Sequence, residues 1–263
     1  MNYLLNFTDF NSLKASTLLK LKEIESFTPN LYPIEQVPYY GIIFDLPLAF
    51  IEVIFKIENH TEYFLLRHKA IFLIFLLSAF LFYKIILSRF NNVFLALFGF
   101  LIFIFSPRIF GNIFFDNKDI LFLSIVTINF YFFLNFCKKN DLKNLILLSL
   151  FCALSSSTRI IGILIPVSFL FLIFFEYLNN NNYKKFLKTF FIFYSLFIFF
   201  SYLHWPYLWT LNFENWLSFF NPFFQAMNPI VFFDGKFYQS KYLPLSYIPY
   251  LILITTPIFT LCL

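Results

Sequence analysis

The chain has 263 residues, 60% of them hydrophobic, 25% aromatic and only 13% charged, with a mean hydropathy of +0.76. A water-soluble domain of that size cannot hide so much apolar surface, so lipid must be the solvent for much of it. The formal net charge of +5 does not mark a nucleic-acid binder, because no basic stripe interleaved with stacking aromatics lies on a polar surface. Cys137, Cys152 and Cys262 stand in or beside apolar runs without metal-like spacing and read as small hydrophobes.

Residues 1–39 are mixed, and Pro29, Pro33 and Pro38 break any long helix near the end of that stretch. Residues 41–55 are apolar but short, and they hold Asp45, Pro47 and Glu52. A helix there carries Asp45 and Glu52 on one face and reads as interfacial or re-entrant rather than spanning. Apolar runs then recur at 70–87, 93–104, 120–137, 145–154, 160–178, 190–203 and 247–263. A full span needs about 20 residues, and several of these are shorter. The expectation is an all-α, polytopic transmembrane helical bundle with short and broken helices and a polar cavity open at one face. The whole chain, 1–263, is expected to be one membrane domain. Within it, 1–68 is an outer-face and interfacial segment, 69–203 the transmembrane core, 204–245 an outer loop and 246–263 a final helix.

Charge orders these runs. Lys138, Lys139, Lys143, Lys184, Lys185 and Lys188 crowd two short connections, and Lys84 and Arg89 close a third, as cytoplasmic loops do under the positive-inside rule. Alternation from there sends 145–154 part-way up, to a turn at Ser155-Ser156-Ser157-Thr158-Arg159. It also gathers Arg108, Asp116, Lys118, Asp119, Arg159 and the 205–209 segment at the opposite, outer side.

Residues 105–119 form a polar island between two runs that are apolar nearly all round. Ionisable groups at the rim of a membrane pair are costly to place and mark a functional site by default. Asp116 and Asp119 admit two readings. They cap and complement the helix that begins near Ile120, or they supply a carboxylate in a partly dry cavity as base or charge stabiliser. Arg108 and Arg159 are either partners of those carboxylates or forks for a phosphate. His204 and the aromatic residues Trp205, Tyr207 and Trp209 are either an interfacial belt or rings that stack on a sugar. Asp45 is either the wet side of an interfacial helix or a catalytic carboxylate. His204 has no neighbour at ligand spacing, and no metal is assigned.

Read together, Ser106-Pro107-Arg108-Ile109-Phe110-Gly111, Asn117-Lys118-Asp119-Ile120 and Thr158-Arg159-Ile160-Ile161-Gly162 resemble membrane glycosyltransferases. The family is the dolichyl-phosphate-mannose–protein mannosyltransferase-like one (family 39, GT-C fold). Tyr39-Tyr40-Gly41 through Phe44-Asp45-Leu46, Trp205-Pro206-Tyr207-Leu208-Trp209 and, more loosely, Phe232-Phe233-Asp234-Gly235-Lys236 extend the match, as do Leu243-Pro244, Tyr247-Ile248-Pro249 and Thr255-Thr256-Pro257. Each motif alone is weak; their order and spacing together are specific, over about residues 39–263.

The resemblance implies a transferase that moves a sugar from a polyprenyl-phosphate donor to an acceptor at the outer face of a cell membrane, of the bacterial inner-membrane kind. The partners it implies are the lipid-linked donor and the bilayer. No organic cofactor is implied, and use of a divalent metal varies in the family. Asp119, Asp116 and Asp45 are the catalytic candidates, and Arg108, Lys118, Arg159, Trp205 and Tyr207 the substrate-binding ones. The family also carries an N-terminal transmembrane helix followed at once by Asp or Asp-Glu, which neither Asp9 nor Glu35 matches, and more helices after the last run. The expectation is therefore a member shortened at both ends. The rival classes are a membrane carrier of lipid-linked or anionic substrates and a non-catalytic remnant. A carrier requires repeated halves with paired broken helices, and only the one break at 155–159 is read.

Overall fold

The computed structural model describes residues 41–57, 59–179, 183–209 and 230–256, apart from the side chains of Glu176, Asn179 and Tyr207. Expectations for residues 1–40, 210–229 and 257–263 therefore lie outside the described residues, Pro29, Pro33, Pro38 and Cys262 among them. The helices are α1 (Asp45–Ile54), α2 (His60–Phe90), α3 (Val93–Phe105), α4 (Pro107–Asn112), α5 (Asp119–Lys139), α6 (Leu142–Thr158), α7 (Leu164–Asn179), α8 (Tyr183–His204) and α9 (Tyr247–Thr255). An antiparallel hairpin, β1 (Ile230–Phe233) with β2 (Lys236–Gln239), precedes α9. The architecture is an all-α membrane bundle. Three helices, α2, α5 and α8, are long and apolar enough to cross a bilayer, whereas α3 and α6 are shorter.

Local chemistry sets most of the turns. Asn91 takes the left-handed conformation (φ 51°) and returns its N–H to the Leu87 carbonyl, ending α2. Asn92 then caps α3 by accepting from the Leu95 N–H at 3.1 Å. The next hairpin repeats the device: Asn140 (φ 49°) closes α5 on Phe136, and Asp141 precedes α6. Asparagine tolerates positive φ, and short polar side chains satisfy the free N–H groups of a helix start. The β-hairpin turns on Asp234 and Gly235, both at positive φ, the Asp-Gly pair that two-residue hairpins favour. That signal lay in the sequence within a looser motif match and was not read as a turn.

Three element boundaries differ from the sequence reading. α2 begins at His60, ten residues before the apolar run at 70, because Asn59 caps its first turn by accepting from the Thr61 N–H at 3.0 Å. The lysines Lys184, Lys185 and Lys188 stand on the first turns of α8, not in a loop. Their long stems keep the charged heads in water while the helix continues. Most consequentially, Ser155–Thr158 is no break. α6 runs on through it to Thr158, because each hydroxyl folds back onto a carbonyl three or four residues earlier. Hydroxyls that satisfy themselves in this way remain helical in an apolar setting. The break comes one residue later, at the extended Arg159, followed by a 3₁₀ turn over Ile160–Ile163.

Packing centres on α5, which lies between α2 and α6, while α6 in turn carries α8. Small buried residues line these seams: Ser78 and Ala79 on α2, Ser124 on α5, Ser149 and Ala153 on α6. In lipid, where burial of apolar groups gives helices no net drive to associate, such residues permit the close backbone approach that dispersion requires. Two apolar clusters fill the bundle. One, around Phe75, Ile113 and Leu121, underlies the end where α5 begins. The other, around Phe133, Phe169 and Phe193, lies toward the lysine-rich end, where the Phe133 and Phe169 rings stack at 4.4 Å. Outward-facing rings such as Phe94, 85% exposed, are where lipid serves as the partner.

Candidate functional site

Because α2 and α5 start, and α3, α6 and α8 finish, at the same end of the bundle, that end collects nearly all the candidate residues. The best-defined contact there is an ion pair between Arg159 and Asp119, forty residues apart in sequence. Asp119 is the first residue of α5 and Arg159 the extended residue that ends α6. The helices bring them together through their own packing. The Arg159 side chain is 33% exposed and that of Asp119 is 66% exposed. An ion pair this open contributes only about 0.2–1 kcal/mol, so fold stability is a weak reason for it.

Asp116 stands two residues before Lys118, the residue at the N-cap of α5. Its Oδ1 accepts from the backbone N–H of Lys118 at 3.0 Å and of Asp119 at 2.8 Å, which fixes the start of α5 and the place of Asp119. Lys118 is exposed beside it. Arg108 is exposed on α4, where its carbonyl accepts from the Asn112 side chain at 2.7 Å. α4 is one short turn between α3 and the loop to α5, and Pro107 at its start suits a position where the N–H would be unsatisfied anyway.

The residues expected to form an aromatic platform divide. Trp205 is buried, at 3% exposure, whereas Trp209 is 41% exposed and donates its Nε1–H to the Tyr202 carbonyl at 2.5 Å. The Tyr207 side chain lies outside the described residues. His204, at the end of α8, is buried. Its Nε2 lies 2.7 Å from Ser157 Oγ and its Nδ1 faces the Phe200 carbonyl at 2.5 Å. A carbonyl can only accept, so Nδ1 bears a proton. The chain crosses directly over this pair: the Gly41 N–H donates to the Ser157 carbonyl at 2.9 Å and the Ile42 N–H to the His204 carbonyl at 3.3 Å. A side chain at Gly41 would stand 2.6 Å from Ser157 Cβ, so only glycine passes.

Sequence reasoning missed Arg67. It belongs to the second turn of α2, and its Nη1 donates to Asp45 Oδ1 at 2.6 Å while its Nη2 lies 3.2 Å from Glu52 Oε1. The Cζ of Arg67 also sits 4.3 Å from the centroid of the Tyr63 ring. Asp45 and Glu52 share a face of α1, which was legible, and two carboxylates on one face call for a cation; the sequence did not say which. Arg67 and Glu52 side chains are only 14% and 16% exposed. Removing one partner of a pair so enclosed costs about 3–5 kcal/mol, far more than the open Arg159–Asp119 pair. Among the described residues no three His, Cys, Asp or Glu side chains gather closely enough to hold a metal ion.

Comparison with known proteins gives one result. The sequence model of the dolichyl-phosphate-mannose-protein mannosyltransferase family matches residues 46–205, more than half of the chain. That span runs from α1 through α8 and includes both Arg–Asp pairs except Asp45 itself. No curated protein and no solved structure matches.

Proposed function

The chain belongs to the dolichyl-phosphate-mannose-protein mannosyltransferase family, and from that premise we propose that it takes its sugar from a polyprenyl-phosphate-linked donor and transfers it at the outer face of the membrane. It is a multi-pass membrane glycosyltransferase of the mannosyltransferase type. The observation that carries the finer reading is the meeting of Arg159 with Asp119 at the end of the bundle opposite Lys138, Lys139, Lys184 and Lys185. A donor with a lipid tail reaches that end sideways, along the apolar outer surface of the helices. The Arg159 guanidinium presents several N–H donors in one plane, a match for phosphate oxygens.

One of those donors is spent on Asp119. A phosphate arriving at Arg159 competes for it and leaves the carboxylate to the acceptor. Asp119 then takes the proton from the acceptor hydroxyl as the oxygen forms its bond to the anomeric carbon. The bond from that carbon to the phosphate oxygen breaks, and the electron pair leaves with the polyprenyl phosphate, whose growing charge Arg159 steadies. Asp116 keeps Asp119 in place, and Arg108 and Lys118 add positive charge at the same end of the bundle.

Transfer from a polyprenyl-phosphate-linked mannose in lipid vesicles tests this. Asp119→Asn and Arg159→Ala are each expected to lower kcat by about 10²–10⁴-fold. The exchanged pair, Asp119→Arg with Arg159→Asp, restores an ion pair but not the geometry of base and phosphate fork, and is expected to stay inactive. Undiminished transfer in both single variants removes the assignment. Arg108→Cys is expected to react with an impermeant maleimide in sealed, right-side-out vesicles, and Lys184→Cys is not; the reverse pattern overturns the outward orientation.

A further inference from the structure

We propose that Arg67 is a positioning residue: it clasps α1 across the end of the bundle that carries Asp119 and so sets where the Asp45 carboxylate stands during transfer. The proposal rests on the reading above that this end receives the donor. Its physical basis is separate, and it lies in how α1 is held.

Apolar contacts hold one side of α1: Phe44, just before it, and Leu48 within it are buried and Ile43 and Ile51 pack against the same cluster, while Phe50, Val53 and Ile54 are exposed. The Gly41 and Ile42 N–H groups tie down the chain just ahead of it. A polar contact along the length of the helix adds control of its rotation. Arg67 supplies it by reaching both turns of α1 at once, Asp45 with Nη1 and Glu52 with Nη2. Two points of attachment two turns apart define the helix's rotation as well as its height. The guanidinium itself is immobilised on the Tyr63 ring, one turn earlier on the same helix. Only a planar fork can do this; a lysine ammonium is a point charge on a flexible stem.

The two acids are not equivalent. Glu52 is almost enclosed, and its charge serves to hold the guanidinium. Asp45 is 63% exposed and engages Arg67 through Oδ1. One guanidinium facing two carboxylates leaves the cluster with a net negative charge, and Asp45 is the part of it that reaches solvent. The arrangement repeats the one at Asp119: an exposed aspartate, first residue of its helix, held by an arginine from a neighbouring helix. A carboxylate so placed suits the hydroxyls of a sugar, and a misplacement of about 1 Å in such a group costs about a hundredfold in rate.

The experiment uses the full chain in vesicles with a polyprenyl-phosphate-linked mannose, together with amide hydrogen exchange. Arg67→Lys keeps the charge and loses the fork. It is expected to lower kcat by about tenfold to a hundredfold, to leave the KM for the donor within about twofold because the phosphate is held elsewhere, and to melt with wild type. Glu52→Gln, which loosens one attachment only, is expected to move kcat the same way by less. In Arg67→Ala, exchange is expected to rise across residues 45–54 and to stay unchanged across 119–158. Wild-type kcat in Arg67→Lys, or a rise in donor KM equal to the fall in kcat, overturns the proposal. So does unchanged exchange in α1, and that outcome stands even if the wild-type chain transfers nothing, in which case the proposed function fails by itself.

Discussion

Two glycines, both in segments that match the family's pattern, meet opposite surroundings. A Cβ at Gly162 would lie 2.2 Å from the Ser155 carbonyl oxygen, a backbone atom that cannot swing away. Gly162→Ala must therefore push the 3₁₀ turn off the end of α6, and with it the neighbouring Arg159. A stability loss of about 1–3 kcal/mol is expected by thermal unfolding in detergent, with a fall in transfer. Gly111, inside α4, has nothing within 4 Å of such a Cβ. Gly111→Ala is expected to be neutral or to stabilise, by up to about 1 kcal/mol, in the same unfolding measurement. From the sequence the two glycines look alike, since each closes a short motif; the distinction is steric and belongs to the fold.

At the scale of the element, the starts of helices carry the candidate carboxylates, Asp45 and Asp119. Asp116 caps α5 through two N–H groups, so the capping reading describes its geometry, and Asp119 depends on it for position. Asp116→Ala is expected to cost about 0.5–2 kcal/mol and to raise hydrogen exchange in the first turn of α5. It should lower kcat less than Asp119→Asn does, because the carboxylate we propose as the base survives. A loss as deep as that of Asp119→Asn would instead place Asp116 itself against the substrate. The end of α6 teaches the complementary lesson. A run of three serines and a threonine looks like a loop when hydrogen bonds to water are assumed. In an apolar bundle each of the four hydroxyls reaches a carbonyl of its own helix, so the polar run extends the helix and delivers Arg159 about 6 Å farther along the bundle, at 1.5 Å per residue.

Over the whole molecule, charge separates the two ends. The lysines at the end of α5 and at the starts of α6 and α8 lie at one end, while both Arg–Asp pairs lie at the other. The family match covers α1 to α8, and so it includes both ends and the spans between. Hydropathy and charge are properties of residues taken singly or in short runs, and this is why the membrane class, the approximate positions of the spans and the common side of Arg108, Asp119 and Arg159 were all legible in the sequence. The pairings were not. Arg159 with Asp119, Arg67 with Asp45 and His204 with Ser157 join positions 40, 22 and 47 residues apart. Choosing among such partners requires the rotation of each helix about its axis. A helix that is apolar all round states no preferred face, so the small residues Ser78, Ala79, Ser124 and Ala153 settle that rotation only when the helices pack against one another. The sequence by itself therefore determined that this is a membrane bundle with a polar end. Tertiary packing alone decided which arginine holds which carboxylate.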